Sequence, residues 1–123
     1  MSVALWCVVA AGLLPYFTVA VAKANGGYRN HDPRVWLDEQ SGLARRADFA
    51  HRNHFEAFPL FAAAVIVAQL LHVAPGRIDA LALAFIAIRV IYTALYLADR
   101  AILRSCAWCA GLACVLALFV CAA

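Results

Sequence analysis

Four long apolar runs constrain this chain more than any other feature of its sequence. Residues 3–22 alone provide enough apolar positions to cross a bilayer core, which takes about 20 residues for a thickness of about 30 Å. Similar runs end near residues 73, 98 and 121. Helices satisfy their own backbone hydrogen bonds in lipid, so we expect each run to form a membrane-spanning helix.

The composition supports a lipid environment. Hydrophobic residues make up 67% of the 123 positions and charged residues only 14%, whereas soluble domains carry about 45–50% apolar and about 25% charged residues. A chain this small cannot hide such an excess in its own core. The sequence therefore predicts an integral membrane protein.

The breaker residues divide the chain into a single all-α domain, residues 1–123. We expect four helices at about 3–22, 43–73, 77–98 and 102–121, arranged up-down-up-down as a four-helix bundle. Pro59 predicts a kink inside the second helix, and Ala74-Pro75-Gly76 predicts its end. The polar segment 23–42 is expected to be a loop outside the membrane.

The first apolar run has a competing interpretation as a cleaved signal peptide. Ala20-Val21-Ala22 before Lys23 resembles a small-residue cleavage site. No basic residue precedes the run, however, and the run is longer than the usual signal core. We therefore predict a retained helix.

Basic residues in the loops predict the orientation. The second loop holds only Arg77, whereas most other basic residues lie in or beside the first and third loops: Lys23, Arg29, Arg34, Arg45, Arg46, Arg100 and Arg104. By the positive-inside rule, the first and third loops face the cytoplasm and both termini lie outside.

Two further compositional features argue against other classes of protein. The net charge of +3 comes from scattered basic residues, which does not indicate a nucleic-acid surface. All five cysteines lie in apolar runs, and an odd number there does not indicate a disulfide framework. Cys106-Ala-Trp-Cys109 has redox spacing, but without a βαβ pattern the favoured role of these cysteines is packing.

Polar side chains concentrate on the second and third helices. Arg45, Phe49, Arg52 and Glu56 form a continuous helical stripe with Asn53 beside it. The alternative is that these residues begin a helix outside the lipid and carry charges only because they are exposed to water. His51 and His54, spaced i,i+3 without a third ligand, are expected at the helix surface, and no metal site is predicted.

Arg89 lies near mid-membrane, ten residues before the polar turn at Asp99, and shares a face with Tyr92 and Tyr96. An arginine there must face a protein interior or cavity. Glu56 is its expected partner, either as part of a site or as a purely structural pair.

The polar groups of three helices would suit an amino-acid or peptide-like ligand charged at both ends. Arginines donate to carboxylates, and Glu56 can receive an amine. Arg104 with Ser105 or Tyr96, placed near a ligand's thiol, would favour its nucleophilic form. A serine nucleophile at Ser105 is not supported, because its segment contains no histidine and no strand-turn-helix elbow.

The run from Arg46 to Pro59 resembles the signature of the MAPEG family, the membrane-associated proteins of eicosanoid and glutathione metabolism. Its Asn-x-x-Glu-x-x-Pro core is followed in matching order by Arg89 with Tyr96, and by Leu103-Arg104-Ser105. The resemblance covers nearly the whole chain and is greatest to short bacterial members.

The resemblance implies a homotrimer that binds glutathione, as co-substrate, between neighbouring subunits. Six residues match glutathione-contacting positions: Arg52, Asn53, Glu56, Arg89, Tyr92 and Tyr96. Arg104, Ser105 and Tyr96 are the expected catalytic residues near the thiol. The implied location is the bacterial inner membrane.

The implied function is a glutathione-dependent transferase or peroxidase acting on lipophilic electrophiles. Two departures stand out: Phe49 replaces an arginine common in mammalian eicosanoid synthases, and the spacing from Tyr96 to Arg104 is one residue shorter than in some members. The first favours the alternative, a non-catalytic member that binds a lipid or protein partner. A small transporter or channel subunit is a third possibility, although transport usually needs repeated halves.

Overall fold

Helices dominate the computed structural model, which describes residues 1–24 and 26–123. They are α1 (Val3–Lys23), α2 (Pro33–Asp38), α3 (Gly42–Leu70), α4 (Pro75–Leu97) and α5 (Ala101–Ala122), and no strand occurs in the described residues. All except α2 are long and apolar enough to cross a membrane. The predicted all-α architecture with four membrane-spanning helices is confirmed.

The helix ends differ from the sequence prediction at two places. α3 ends at Leu70, three residues early, because His72 takes a left-handed conformation (φ 56°) and the Val73 amide bonds back to the Ala68 carbonyl. Pro75, expected to terminate that helix, instead begins α4. Its missing N–H costs nothing at a first helical position.

The two middle spans, α3 and α4, form the centre of the bundle, and each packs against both α1 and α5. Phe61 of α3 stacks on Phe85 of α4, with ring centroids 3.9 Å apart. Much of the surrounding core is alanine, which allows helices in lipid to approach closely.

The first loop folds over one end of the bundle, where only a loop was predicted. Its short helix α2 buries Trp36 and Leu37 against a cluster that includes Ala22 and Ala44. At the same end, Arg46 Nε donates to the carbonyl oxygen of Leu97 at 3.1 Å, tying α3 to the end of α4.

The cysteines do not all pack in the core. Cys7 is buried, as predicted, but Cys106 and Cys109 are exposed on α5. This pair does not pack in the core of the single chain, because α5 turns Gly111, Val115 and Leu118 toward the bundle instead.

Candidate functional site

Arg89 is the centre of the polar site. It lies midway along α4 with only 3% of its surface exposed. Its guanidinium donates to Asn53 Oδ1 (3.0 and 3.1 Å) and to His54 Nδ1 (2.9 and 3.2 Å), and it lies 4.2 Å from the centroid of the Tyr92 ring. These partners are an amide oxygen, an imidazole nitrogen and an aromatic ring, none of which carries a negative charge. They provide hydrogen-bond acceptors for the guanidinium but do not neutralise its charge.

His54 has a defined role in holding Arg89. Thr93 Oγ1 donates to the carbonyl of Arg89 at 3.0 Å, so it accepts from His54 Nε2 at 2.8 Å. The proton on Nε2 leaves a lone pair on Nδ1, which accepts from the guanidinium. His54 is therefore a neutral acceptor, and a second proton on it would face Arg89 directly.

The expected direct pair between Arg89 and Glu56 does not form within one chain. Asn53 lies between them: its oxygen accepts from Arg89, and its Nδ2 donates to Glu56 Oε2 at 3.0 Å. An amide can do both because it carries an acceptor and two donors. Glu56 remains exposed, so one face of its carboxylate is open to a ligand.

Arg52 belongs to a different group. Its guanidinium pairs with Asp48 at 2.8 Å, one turn back on α3, and with Asp38 at the end of α2. Asp48 is 2% exposed, and its Oδ1 has no hydrogen-bond partner in the described residues. Although Arg52 and Glu56 share the predicted helical stripe, Arg52 reaches toward the loop, and Arg45 lies 5.4 Å from the Phe49 ring.

Two clefts open between the helices on the α5 side of the site. The first has a volume of about 160 Å³ and places Asn53, Glu56 and Arg89 beside apolar side chains that include Leu60 and Phe85. The second has a volume of about 220 Å³ and is lined by Tyr92, Tyr96, Arg104, Ser105, Trp108 and Cys109. Trp108 also lines the first cleft, so the two are neighbours.

In the second cleft, Arg104 stacks on Tyr96, with its guanidinium carbon 4.4 Å from the ring centroid. Tyr96 in turn packs edge-on against Tyr92. The Ser105 hydroxyl donates to the Ala101 carbonyl at 3.1 Å. The structure thus brings every predicted site residue except Arg52 into two adjoining clefts.

Sequence reasoning missed His54, Thr93, Trp108 and Cys109. The burial of His54 could have been predicted from the sequence, because His54 lies at the heptad spacing of apolar positions that the structure buries. These are Ala47, Ala50, Phe61, Ala64 and Ala68. Over the described residues, no group of three or more histidine, cysteine or acidic side chains is placed to hold a metal ion.

The fold and site define an integral membrane four-helix protein with a buried arginine beside two polar-walled clefts. The family model that matches the chain is that of the MAPEG family, over residues 3–123. The chain belongs to the MAPEG family. Comparisons with curated proteins and with solved structures gave no match.

Proposed function

We propose that this protein is a membrane-bound, glutathione-dependent transferase or peroxidase acting on lipophilic electrophiles. The observation that carries the proposal is the row formed by Arg89, Asn53 and Glu56 along the first cleft. One end is the Arg89 guanidinium, which has no carboxylate partner among the described residues, and the other is the open carboxylate of Glu56. A peptide-like ligand with a free carboxylate and a free amine complements both.

The second cleft is the proposed place of the chemistry. Arg104, Ser105 and Tyr96 lie together there, and glutathione bound along the first cleft would extend its thiol past Trp108 toward them. The cation and the hydroxyl donors would stabilise the ligand's thiolate, the form that attacks an electrophile. Tyr92 contributes to both groups through its contacts with Arg89 and Tyr96.

The clefts support a homotrimer as the working assembly. Each is smaller than about 300 Å³, the lower end of ordinary ligand pockets, and Glu56 is exposed within a membrane-spanning helix. A carboxylate there is costly against lipid. A neighbouring copy of the chain would cover it and complete the pocket.

We further propose the bacterial inner membrane as the location, with the first and third loops in the cytoplasm and the termini outside. Glutathione would then enter from the end that α2 covers. Labelling of a Ser41→Cys variant by a membrane-impermeant thiol reagent in intact spheroplasts tests this orientation. Labelling before the cells are broken would contradict it.

Calorimetric titration of glutathione into the detergent-purified chain tests the binding proposal. Glu56→Gln should weaken binding about 10- to 150-fold, because a hydrogen bond to a charged group contributes about 1.5–3 kcal/mol. Arg77→Gln, an exposed arginine near the start of α4, is the matched control and should bind like wild type. No binding by wild type, or equal losses in both variants, would refute the proposal.

One observation favours a second candidate, a non-catalytic member that binds a lipid or protein partner. Arg52 is occupied by two carboxylates, and the first cleft is lined largely by apolar side chains. A purified protein that retains lipid through detergent exchange and conjugates glutathione to no generic aryl halide would support this candidate. Turnover of the halide would exclude it.

A further inference from the structure

A polar cleft with a volume of about 450 Å³ lies at the end of the bundle opposite to α2. It is formed where α1 begins, α3 ends and α4 begins, and its polar lining consists of Ser2, Gln69, His72 and Asp79. Its volume falls within the range of about 300–1,000 Å³ that is usual for ligand pockets. The cleft shares no residue with the two clefts of the proposed glutathione site.

Hydrogen bonds between helices hold three of these side chains in place. Asp79 Oδ1 accepts from the Ala4 amide at 2.9 Å, which joins α4 to the first turn of α1. Ser2 Oγ accepts from the Leu5 amide at 3.3 Å and from Gln69 Nε2, which joins the start of α1 to α3. The packing of three helices therefore positions the polar wall of the cleft.

The same contacts leave acceptors without partners. Asp79 forms no ion pair within the described residues, and its Oδ2 makes no hydrogen bond there. Gln69 donates through its nitrogen, so its Oε1 remains an unused acceptor in this part of the chain. Asp79 lies about 6 Å along α4 from Pro75, in a helix long and apolar enough to cross a membrane. A carboxylate at that depth is costly beside lipid unless a cation reaches it.

We propose that this cleft binds the headgroup of a phospholipid that carries a primary ammonium group, as phosphatidylethanolamine does. The ammonium group has three N–H donors, and Asp79 Oδ2, Gln69 Oε1 and a ring nitrogen of His72 supply three acceptors. Leu70 and Leu71, 70% and 59% exposed, lie between Gln69 and His72 in the chain and suit the acyl chains. A free amine has no acyl chain to place there. The inference does not depend on glutathione binding.

Native mass spectrometry of the full-length detergent-purified chain tests the proposal, with phosphatidylethanolamine and phosphatidylcholine of identical acyl chains as probes. Phosphatidylcholine has the same charge but no N–H donor, so wild type should bind it at least about tenfold more weakly. Asp79→Asn keeps an oxygen that can accept from the Ala4 amide but removes the charge, and it should bind the two lipids within about twofold of each other. Asp99→Asn, which changes an exposed carboxylate at the other end of the bundle, is the matched control and should keep the preference.

A second variant tests the imidazole. His72 is exposed and holds a left-handed conformation (φ 56°), which glycine adopts without strain, so His72→Gly should fold normally. It should weaken phosphatidylethanolamine binding by about 2- to 10-fold, the effect of one lost hydrogen bond. Phosphatidylcholine binding should not change.

The outcomes separate this inference from the proposed function. Equal binding of the two lipids by wild type, or an unchanged preference in Asp79→Asn, would overturn the inference. If Asp79→Asn loses its helical circular dichroism, His72→Gly decides, and an unchanged preference in that variant overturns it. Glycerophosphoethanolamine that displaces the lipid at equal concentration would show that the ligand is a free amine and not a lipid. Glutathione binding by Asp79→Asn should equal that of wild type, so either proposal can fail alone.

Discussion

Arg52 and Arg89 are arginines on neighbouring helices with opposite surroundings. Arg52 is about half exposed and paired with two carboxylates, Asp38 and Asp48. Arg89 is almost fully buried, and within the described residues an amide, a neutral imidazole and an aromatic ring hold its guanidinium. The first arginine is compensated and joins a loop to a helix. The second has no carboxylate partner among the described residues and lies beside a cleft, which is why we propose it as a binding group for an anion.

Position on a helix therefore does not determine the role of a charged residue. Arg52, one of the predicted ligand-binding residues, is one residue from Asn53 and one turn from Glu56. Its long side chain nevertheless extends away from them toward α2. A carboxylate supplied by the chain itself competes with any carboxylate supplied by a ligand.

The largest effect should come from removing the imidazole that holds Arg89. His54→Leu leaves the buried guanidinium with one fewer acceptor and should lower the free energy of unfolding by about 2–3 kcal/mol. Denaturant titration in a fixed detergent, followed by circular dichroism, measures it. His54→Leu combined with Arg89→Met should regain most of the loss, and a double variant as unstable as the single one would contradict this account.

A smaller effect should follow from removing Arg52. Arg52→Gln leaves the buried Asp48 carboxylate without its cation and should cost about 1–3 kcal/mol in unfolding free energy. Glutathione affinity should change less than in Glu56→Gln, because Arg52 points to the loop. Denaturant unfolding measures the stability change, and calorimetric titration of glutathione measures the affinity. An affinity loss larger than that of Glu56→Gln would place Arg52 in the binding site.

The smallest effect is expected at Asp38, the exposed partner of Arg52. Asp38→Asn should change the unfolding free energy by less than about 1 kcal/mol, as for other exposed ion pairs. Cleavage within the first loop by a soluble protease should become faster, since the contact joins α2 to α3. An unchanged cleavage rate would show that Trp36 and Leu37 alone keep the loop in place.

The sequence was a good guide to the fold because lipid imposes strong constraints. The apolar runs placed all four spans to within a few residues, and the mid-membrane position of Arg89 correctly implied burial. The short helix α2 was missed because its stability depends on Trp36 and Leu37 packing against distant parts of the chain.

The site was predictable as a set of residues but not as a set of contacts. Charge complementarity favoured an Arg89–Glu56 pair, whereas the structure inserts Asn53 between them. His54 was assigned to the helix surface because its spacing from His51 was considered, and not its place in the buried heptad. Which side chains actually meet depends on helix rotation and rotamers, which the order of residues does not specify.

Trp108 lines both clefts, and 44% of its surface is exposed. Under the proposed function, a ligand that reaches from the first cleft into the second must pass this side chain. Replacing Trp108 with alanine would remove that bulk and should admit larger ligands.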